Sequence, residues 1–99
     1  MPRRDPAREL RDVDAVFGAL AHASRRHVLL VLHFHGGEMS AGEIARRFDC
    51  SWPTTTRHLK RLEEAGLVSV EKDGRERLYR LERETLLRVT GGWLDAFDR

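Results

Sequence analysis

Ninety-nine residues are enough for one ordinary domain and too few for two. Hydrophobic residues make up 40% of the chain and charged residues 34%, the balance of a soluble, helix-rich protein whose small core would gain from pairing with a second copy. A net charge of +2 is too small to name a partner, no apolar run approaches the roughly 20 residues of a membrane span, and the opening MPRRDPAREL lacks a signal peptide's apolar stretch.

These features predict a cytoplasmic chain with no membrane partner. The single cysteine, Cys50, excludes an internal disulfide and agrees with that compartment. The first predicted element is a helix over 7–21, with Leu10, Val13, Phe17 and Leu20 at spacings of 3, 4 and 3. Arg8, Glu9, Arg11, Asp12 and Asp14 fall outside that stripe. A break at 22–24 follows, with Ser24 the predicted cap of the next helix. That helix, RRHVLLVLHFHGG, is apolar on more than one face through Val28, Leu29, Leu30, Val31, Leu32 and Phe34, which predicts a central position. Gly36-Gly37 should stop it, because glycine takes a left-handed C-terminal conformation at little steric cost.

In MSAGEIARRF, Ser40 and Glu43 form an S-x-x-E capping box, so a short helix should start at Ser40 with Ile44, Ala45 and Phe48 facing inward. Asp49-Cys50-Ser51 then turns the chain into SWPTTTRHLKRLEEAGLV. Ser51 is a good N-cap, and Pro53 sits in the first turn, where a missing N–H costs nothing. Two helices joined by so short a turn make a helix-turn-helix over 40–65. After Gly66 the apolar period changes from about 3.6 to 2. The stretch 67–82 reads as a hairpin, with Val68 and Val70 on one arm, Leu78 and Tyr79 on the other, and Asp73-Gly74 as a type I′ turn. The last segment, 83–98, is a helix with Leu86, Leu87, Thr90, Trp93, Leu94 and Phe97 on one broad face. Gly91-Gly92 weakens its middle and offers room for another helix.

The second helix of the pair carries the chemistry. Projected at helical pitch, Thr55, Leu59 and Leu62 point one way, and Pro53, Arg57, Lys60 and Glu64 the other, with Thr56 and Arg61 on the flanks. Residues 51–62 contain Arg57, Lys60, Arg61 and His58 and no acid, a local segregation that suits a polyanion. A helix in the major groove touches base edges from its N-terminal half, which here offers Trp52, Pro53, Thr54, Thr56 and Arg57 after the capping Ser51. Arginine suits guanine, threonine a thymine methyl or a phosphate, and Lys60 and Arg61 suit phosphates. Lys72, Arg75 and Arg77 flank the hairpin tip, where a wing could reach the minor groove or backbone, although Glu71, Asp73 and Glu76 dilute the patch. A basic helix face is more often merely solvated when it stands alone. The capping box, short turn and basic hairpin together favour double-stranded DNA as the partner.

The chain resembles the ArsR (SmtB/ArsR) family of winged helix-turn-helix repressors over nearly its whole length. The resemblance is carried by FGALAHASRRHVLLVL, by MSAGEIARRFDCSWPTTTRHLKRLEEAGLV and by the wing EKDGRERLYRL. It implies a mostly α fold with a small β-hairpin, a homodimer built through the N- and C-terminal helices, operator binding, and repression relieved by a signal. Family DNA contacts fall by position on Trp52, Pro53, Thr56 and Arg57. Trp52 and Pro53 depart from the small polar residues usual there, so the family's operator sequence does not transfer. Leu10, Val13, Phe17 and Leu20, with Leu86, Leu87, Trp93, Leu94 and Phe97, offer more apolar surface than one small domain can cover and are the expected dimer interface.

No metal or other cofactor is expected. The family's cysteine box is missing from MSAGEIARRFDC, and segment 83–98 has neither histidine nor cysteine. His33 and His35 lie on opposite sides of a helix, and His22 and His27 are five apart, short of the three or four ligands of a zinc site. Cys50 reads as a small buried hydrophobe, with a redox thiol beside a helix start as the alternative. Trp52 divides between a nucleic-acid contact and packing on the helix start, and His58 reads as a local hydrogen-bonding group. Nothing marks an enzyme, since no Walker loop, dinucleotide fingerprint or H-E-x-x-H occurs. Two rival roles are a metal- or redox-responsive sensor of the same family and a winged helix used for protein contacts.

Overall fold

The computed structural model describes residues 5–48 and 51–98. The element order is α1 (Pro6–Leu20), α2 (Ala23–Phe34), β1 (Glu38–Ser40), α3 (Ala41–Arg47), α4 (Trp52–Glu64), β2 (Val68–Asp73), β3 (Glu76–Leu81) and α5 (Arg83–Asp95). This is a mostly helical, winged helix-turn-helix arrangement. No helix among the described residues is long and apolar enough to cross a membrane.

The helix starts are written in local side chains. Asp5 caps α1, accepting from Ala7 N at 3.1 Å and Arg8 N at 3.3 Å, with Pro6 in the first turn. The capping box of α3 forms as expected: Ser40 Oγ accepts from Glu43 N, and Ser40 N donates to Glu43 Oε1, both at 3.1 Å. The cap of α2 is a correction. His22 rather than Ser24 is the N-cap, its Nδ1 accepting from the Ser24 backbone N–H at 3.2 Å, so the helix begins two residues earlier than expected.

A second correction concerns how α2 is buried. Val28, Leu29 and Leu32 lie in the core, but Leu30 is 55% exposed and Phe34 is 81% exposed. The helix crosses the core along one stripe, since α1, α4 and the sheet cover only one side of it. Gly36 and Gly37, at φ +85° and +92°, then end it in the left-handed region that a side chain would resist.

The sheet has three antiparallel strands in the order β1-β3-β2, one more than the expected hairpin. Met39 of β1 faces Tyr79 of β3, and both are buried. A three-residue strand squeezed between a glycine stop and a capping box has no room to show a period. The hairpin turn also differs from the expected one. Asp73 pairs with Glu76, so the central residues are Gly74 and Arg75, and only Gly74 has positive φ, +63°. That is the pattern of a type II′ turn, which needs glycine only at its first central position.

Val16, Leu32, Met39, Ile44, Leu59, Leu62 and Leu67 are the largest fully buried side chains, and they draw α1 to α4 and the sheet around one core. Each contributes about 1.5–3 kcal/mol of burial, which fixes α4 from behind and leaves its front free. Helix α5 ends at Asp95, ahead of the expected 98, and its buried anchor is Val89, which the broad apolar face had not included. Among the described residues, and leaving aside the backbone of the helix itself, nothing comes within 4 Å of a Cβ placed on Gly91 or Gly92, so these glycines face open space.

Candidate nucleic-acid interface

Helix α4 starts from a tight cap. Ser51 Oγ accepts from Thr54 N at 3.3 Å and donates to Thr54 Oγ1 at 2.9 Å, while Thr55 Oγ1 turns back to donate to Ser51 O at 3.1 Å. Thr55, Leu59 and Leu62 are buried, as their spacing requires. Trp52, Pro53, Thr56, Arg57, Lys60 and Glu64 are exposed on the other side, and Thr54 is half-buried at the edge. The structure therefore brings Trp52, Pro53, Thr56, Arg57 and Lys60 onto one solvent-facing surface of a rigid helix. Arg61 is exposed but folded back: a Cβ added to Gly18 of α1 would lie 2.9 Å from Arg61 Nη2. Its guanidinium must swing away from α1 to reach a ligand in front of α4.

The pleat sorts the charges of the wing. Side chains alternate between faces along a strand. Lys72 lies opposite Arg77 on the face that carries Val70 and Tyr79 nearer the core. Asp73 and Glu76 pair on the reverse face, where Glu71 also sits. The acids that dilute the patch in the sequence are thus set on the far side of the ribbon. Lys72 and Arg77 are like charges placed directly opposite, which is unfavourable unless an anion neutralises them. Arg75 occupies the exposed turn beside Gly74.

Behind α4 lies a junction that the sequence does not reveal. Arg25 of α2 donates from Nε to Ala19 O at 2.7 Å and from Nη2 to Gly18 O at 3.2 Å, tying down the last turn of α1. Its Nη1 lies 3.5 Å from His58 Nδ1, and the His58 ring stands 4.5 Å from that of His22. Arg26 Nη1 adds a bond to Leu20 O at 2.6 Å. Burial, then the neighbouring His22, Arg25 and Arg57, push the His58 pKa below the ordinary histidine value of 6.5. His58 is therefore a neutral, half-buried joint between the end of α1 and the inner flank of α4. No sequence signal marks Arg25, because its partners are 6, 7 and 33 residues away.

The terminal helices meet along their length and leave an apolar face outside. Phe17 and Trp93 rings are 5.2 Å apart, and Trp93 and Phe97 4.8 Å, a ladder of tilted aromatics. Leu10, Leu87, Leu94 and Phe97 are exposed beside it, with Leu94 at 59% and Phe97 at 72%. Val13, Leu20 and Leu86 are only half-exposed and pack on the core. Among the described residues, no group of three or more His, Cys, Asp or Glu side chains is placed to hold a metal ion. Cys50 lies outside the described residues.

A helix-turn-helix domain model matches residues 20–71. The transcriptional repressor SdpR of Bacillus subtilis is 35% identical, over 83% of this chain and 88% of its own length. The crystal structure of an ArsR family transcriptional regulator superposes with a TM-score of 0.81 at 28% identity, covering 99% of this chain and 93% of that one. A homodimeric winged helix-turn-helix DNA-binding domain of Mycobacterium bovis, a possible ArsR-family regulator, superposes with a TM-score of 0.72 at 27% identity, covering 99% and 91%.

Proposed function

The chain belongs to the ArsR family of winged helix-turn-helix transcriptional regulators, and on that premise we propose that it is a repressor that binds an inverted-repeat operator as a homodimer in the prokaryotic cytoplasm. The observation that carries the reading is the division of α4: Thr55, Leu59 and Leu62 are buried, while its opposite surface presents Trp52, Pro53, Thr56, Arg57 and Lys60 to solvent.

In this reading α4 enters the major groove from its N-terminal end, beginning at Ser51 and Thr54. Arg57 donates two hydrogen bonds to a guanine, and Thr56 meets a base methyl or a phosphate. Lys60, and Arg61 once turned from α1, neutralise phosphates, and Lys72, Arg75 and Arg77 bring the wing to the neighbouring backbone or minor groove. Two copies join through α1 and α5, whose aromatic ladder and exposed leucines are the surface that a second copy would cover. That pairing sets two α4 helices about one turn of DNA apart, roughly 10–10.5 base pairs between half-site centres. Release would follow from a small ligand, from oxidation of Cys50, or from falling protein concentration.

The test is equilibrium binding of the full chain to duplex DNA across a salt series. Binding through several phosphates weakens steeply and linearly in log salt. Retained function with no salt-dependent DNA binding would instead favour a winged helix that docks on protein.

A further inference from the structure

The tip of α4 is short of free hydrogen-bonding groups. The Ser51 and Thr54 hydroxyls are bonded to each other, and Ser51 Oγ also accepts the Thr54 N–H. Thr55 is buried with its hydroxyl bonded back to Ser51 O. Pro53 has no N–H to offer. Apart from the indole N–H, what the tip presents is apolar: the pyrrolidine of Pro53 and the ring of Trp52, which is 54% exposed. Among the described residues, no aromatic or cationic side chain packs on the Trp52 ring.

Base edges in the major groove are donors and acceptors, with one exception, the C5-methyl group of thymine. A pyrrolidine or the carbon face of an indole pressed on donors and acceptors would strip them of water and return no bond. Pressed on a methyl group they bury apolar surface instead. We propose that Trp52 and Pro53 read the C5-methyl group of a pyrimidine, so that each half-site carries a thymine beneath the tip of α4, ahead of the base met by Arg57. The inference rests on the DNA-reading role of α4 proposed above and adds the chemistry that its tip recognises. The same contact accepts 5-methylcytosine, the other natural source of that methyl.

The experiment begins with the duplex that the full chain selects from random DNA. Each thymine of the half-site is replaced in turn by deoxyuridine, which keeps the pairing edge and loses only the methyl. Affinity is read by fluorescence anisotropy at fixed salt. At one position the loss should be about fourfold, the effect of exposing one methyl group. Trp52→Ser, left with Pro53 alone, should lose most of the difference between the thymine and uracil duplexes, whereas Trp52→Phe, which keeps an apolar ring and drops the indole N–H, should retain most of it. At the same position, a gain from 5-methylcytosine over cytosine assigns the effect to the methyl whichever base carries it. A gain confined to thymine over uracil names thymine as the source. The inference is overturned if no uracil substitution weakens the unmodified protein, or if Trp52→Ser stays as methyl-sensitive as the parent. Should Trp52→Ser fail to fold, the uracil scan of the unmodified chain and of Trp52→Phe still decides. Failure to enrich any sequence would remove the DNA-reading role itself. Enrichment without methyl dependence removes this inference alone.

Discussion

Replacing Arg25 by methionine keeps much of its aliphatic stem and removes the guanidinium that fastens the end of α1 to the start of α2. Two charge-assisted hydrogen bonds are lost, to Ala19 O at 2.7 Å and Gly18 O at 3.2 Å, both partly buried. A bond to a charged group is worth about 1.5–3 kcal/mol. The longer one sits at the low end, and water can replace part of it at this half-exposed position, so the expected loss is about 2–3 kcal/mol. For a domain of this size that lowers the melting temperature by roughly 10–20 °C. Thermal and urea unfolding should be compared at one protomer concentration, because dimerisation also raises the apparent stability. Arg25→Lys should recover less than half of the loss, since an ammonium lacks the planar fork that meets two carbonyls at once. A loss below about 0.5 kcal/mol for Arg25→Met would refute the idea that this residue ties the terminal helix to the frame behind α4.

The neutral state of His58 predicts a pH dependence of stability. Its folded pKa lies below the unfolded value of 6.5, so its contribution is complete above that value and is lost as pH falls through the folded pKa. Unfolding midpoints should be level from about pH 8 to 7 and decline below about 6.5, and His58→Gln should flatten the decline. Glu43 acts lower: the Ser40 backbone N–H, then the Ser40 hydroxyl and His35, hold its carboxyl below 4.5, so its share is present above that value and fades as pH falls further. Arg57→Ala should cost about 1–3 kcal/mol of operator affinity and relax preference at one base, while Lys60→Ala should weaken all sequences alike and flatten the salt slope. Equal losses on specific and random DNA for both variants would contradict these roles. Charged residues in place of Phe17 and Leu94 should give monomers or insoluble protein, checked by sedimentation, and an unmodified chain that is monomeric at micromolar concentration would undo the dimer. Operator affinity should be the same in EDTA and in modest excess zinc, arsenite or cadmium; a tenfold drop with one metal, about 1.4 kcal/mol, would point to a metal site instead.

What the sequence made legible was whatever neighbours in the chain decide. The capping box of Ser40 and Glu43, the glycine stop after α2 and the buried stripe of Thr55, Leu59 and Leu62 all follow from spacings within one element. Strand β1 escaped because three residues have no measurable period, and its pairing with β3 is a contact across about 40 positions. The turn lies one residue later than Asp-Gly, the type I′ signal, suggests, because the register of Val70 with Tyr79 and Val68 with Leu81 places Gly74 first. Composition made the front of α4 visible as a basic helix face. It hid the folded-back Arg61, the separation of acid from base on the wing, and the junction of Arg25, His22 and His58, which exist only once three elements have packed.

Hydroxyl-radical footprinting of the full chain on its selected operator tests the central claim most directly. The account predicts two protected patches related by a two-fold axis, their centres about one helical turn apart, roughly 10–10.5 base pairs. A single protected half-site, or two arranged as a direct repeat, would contradict it.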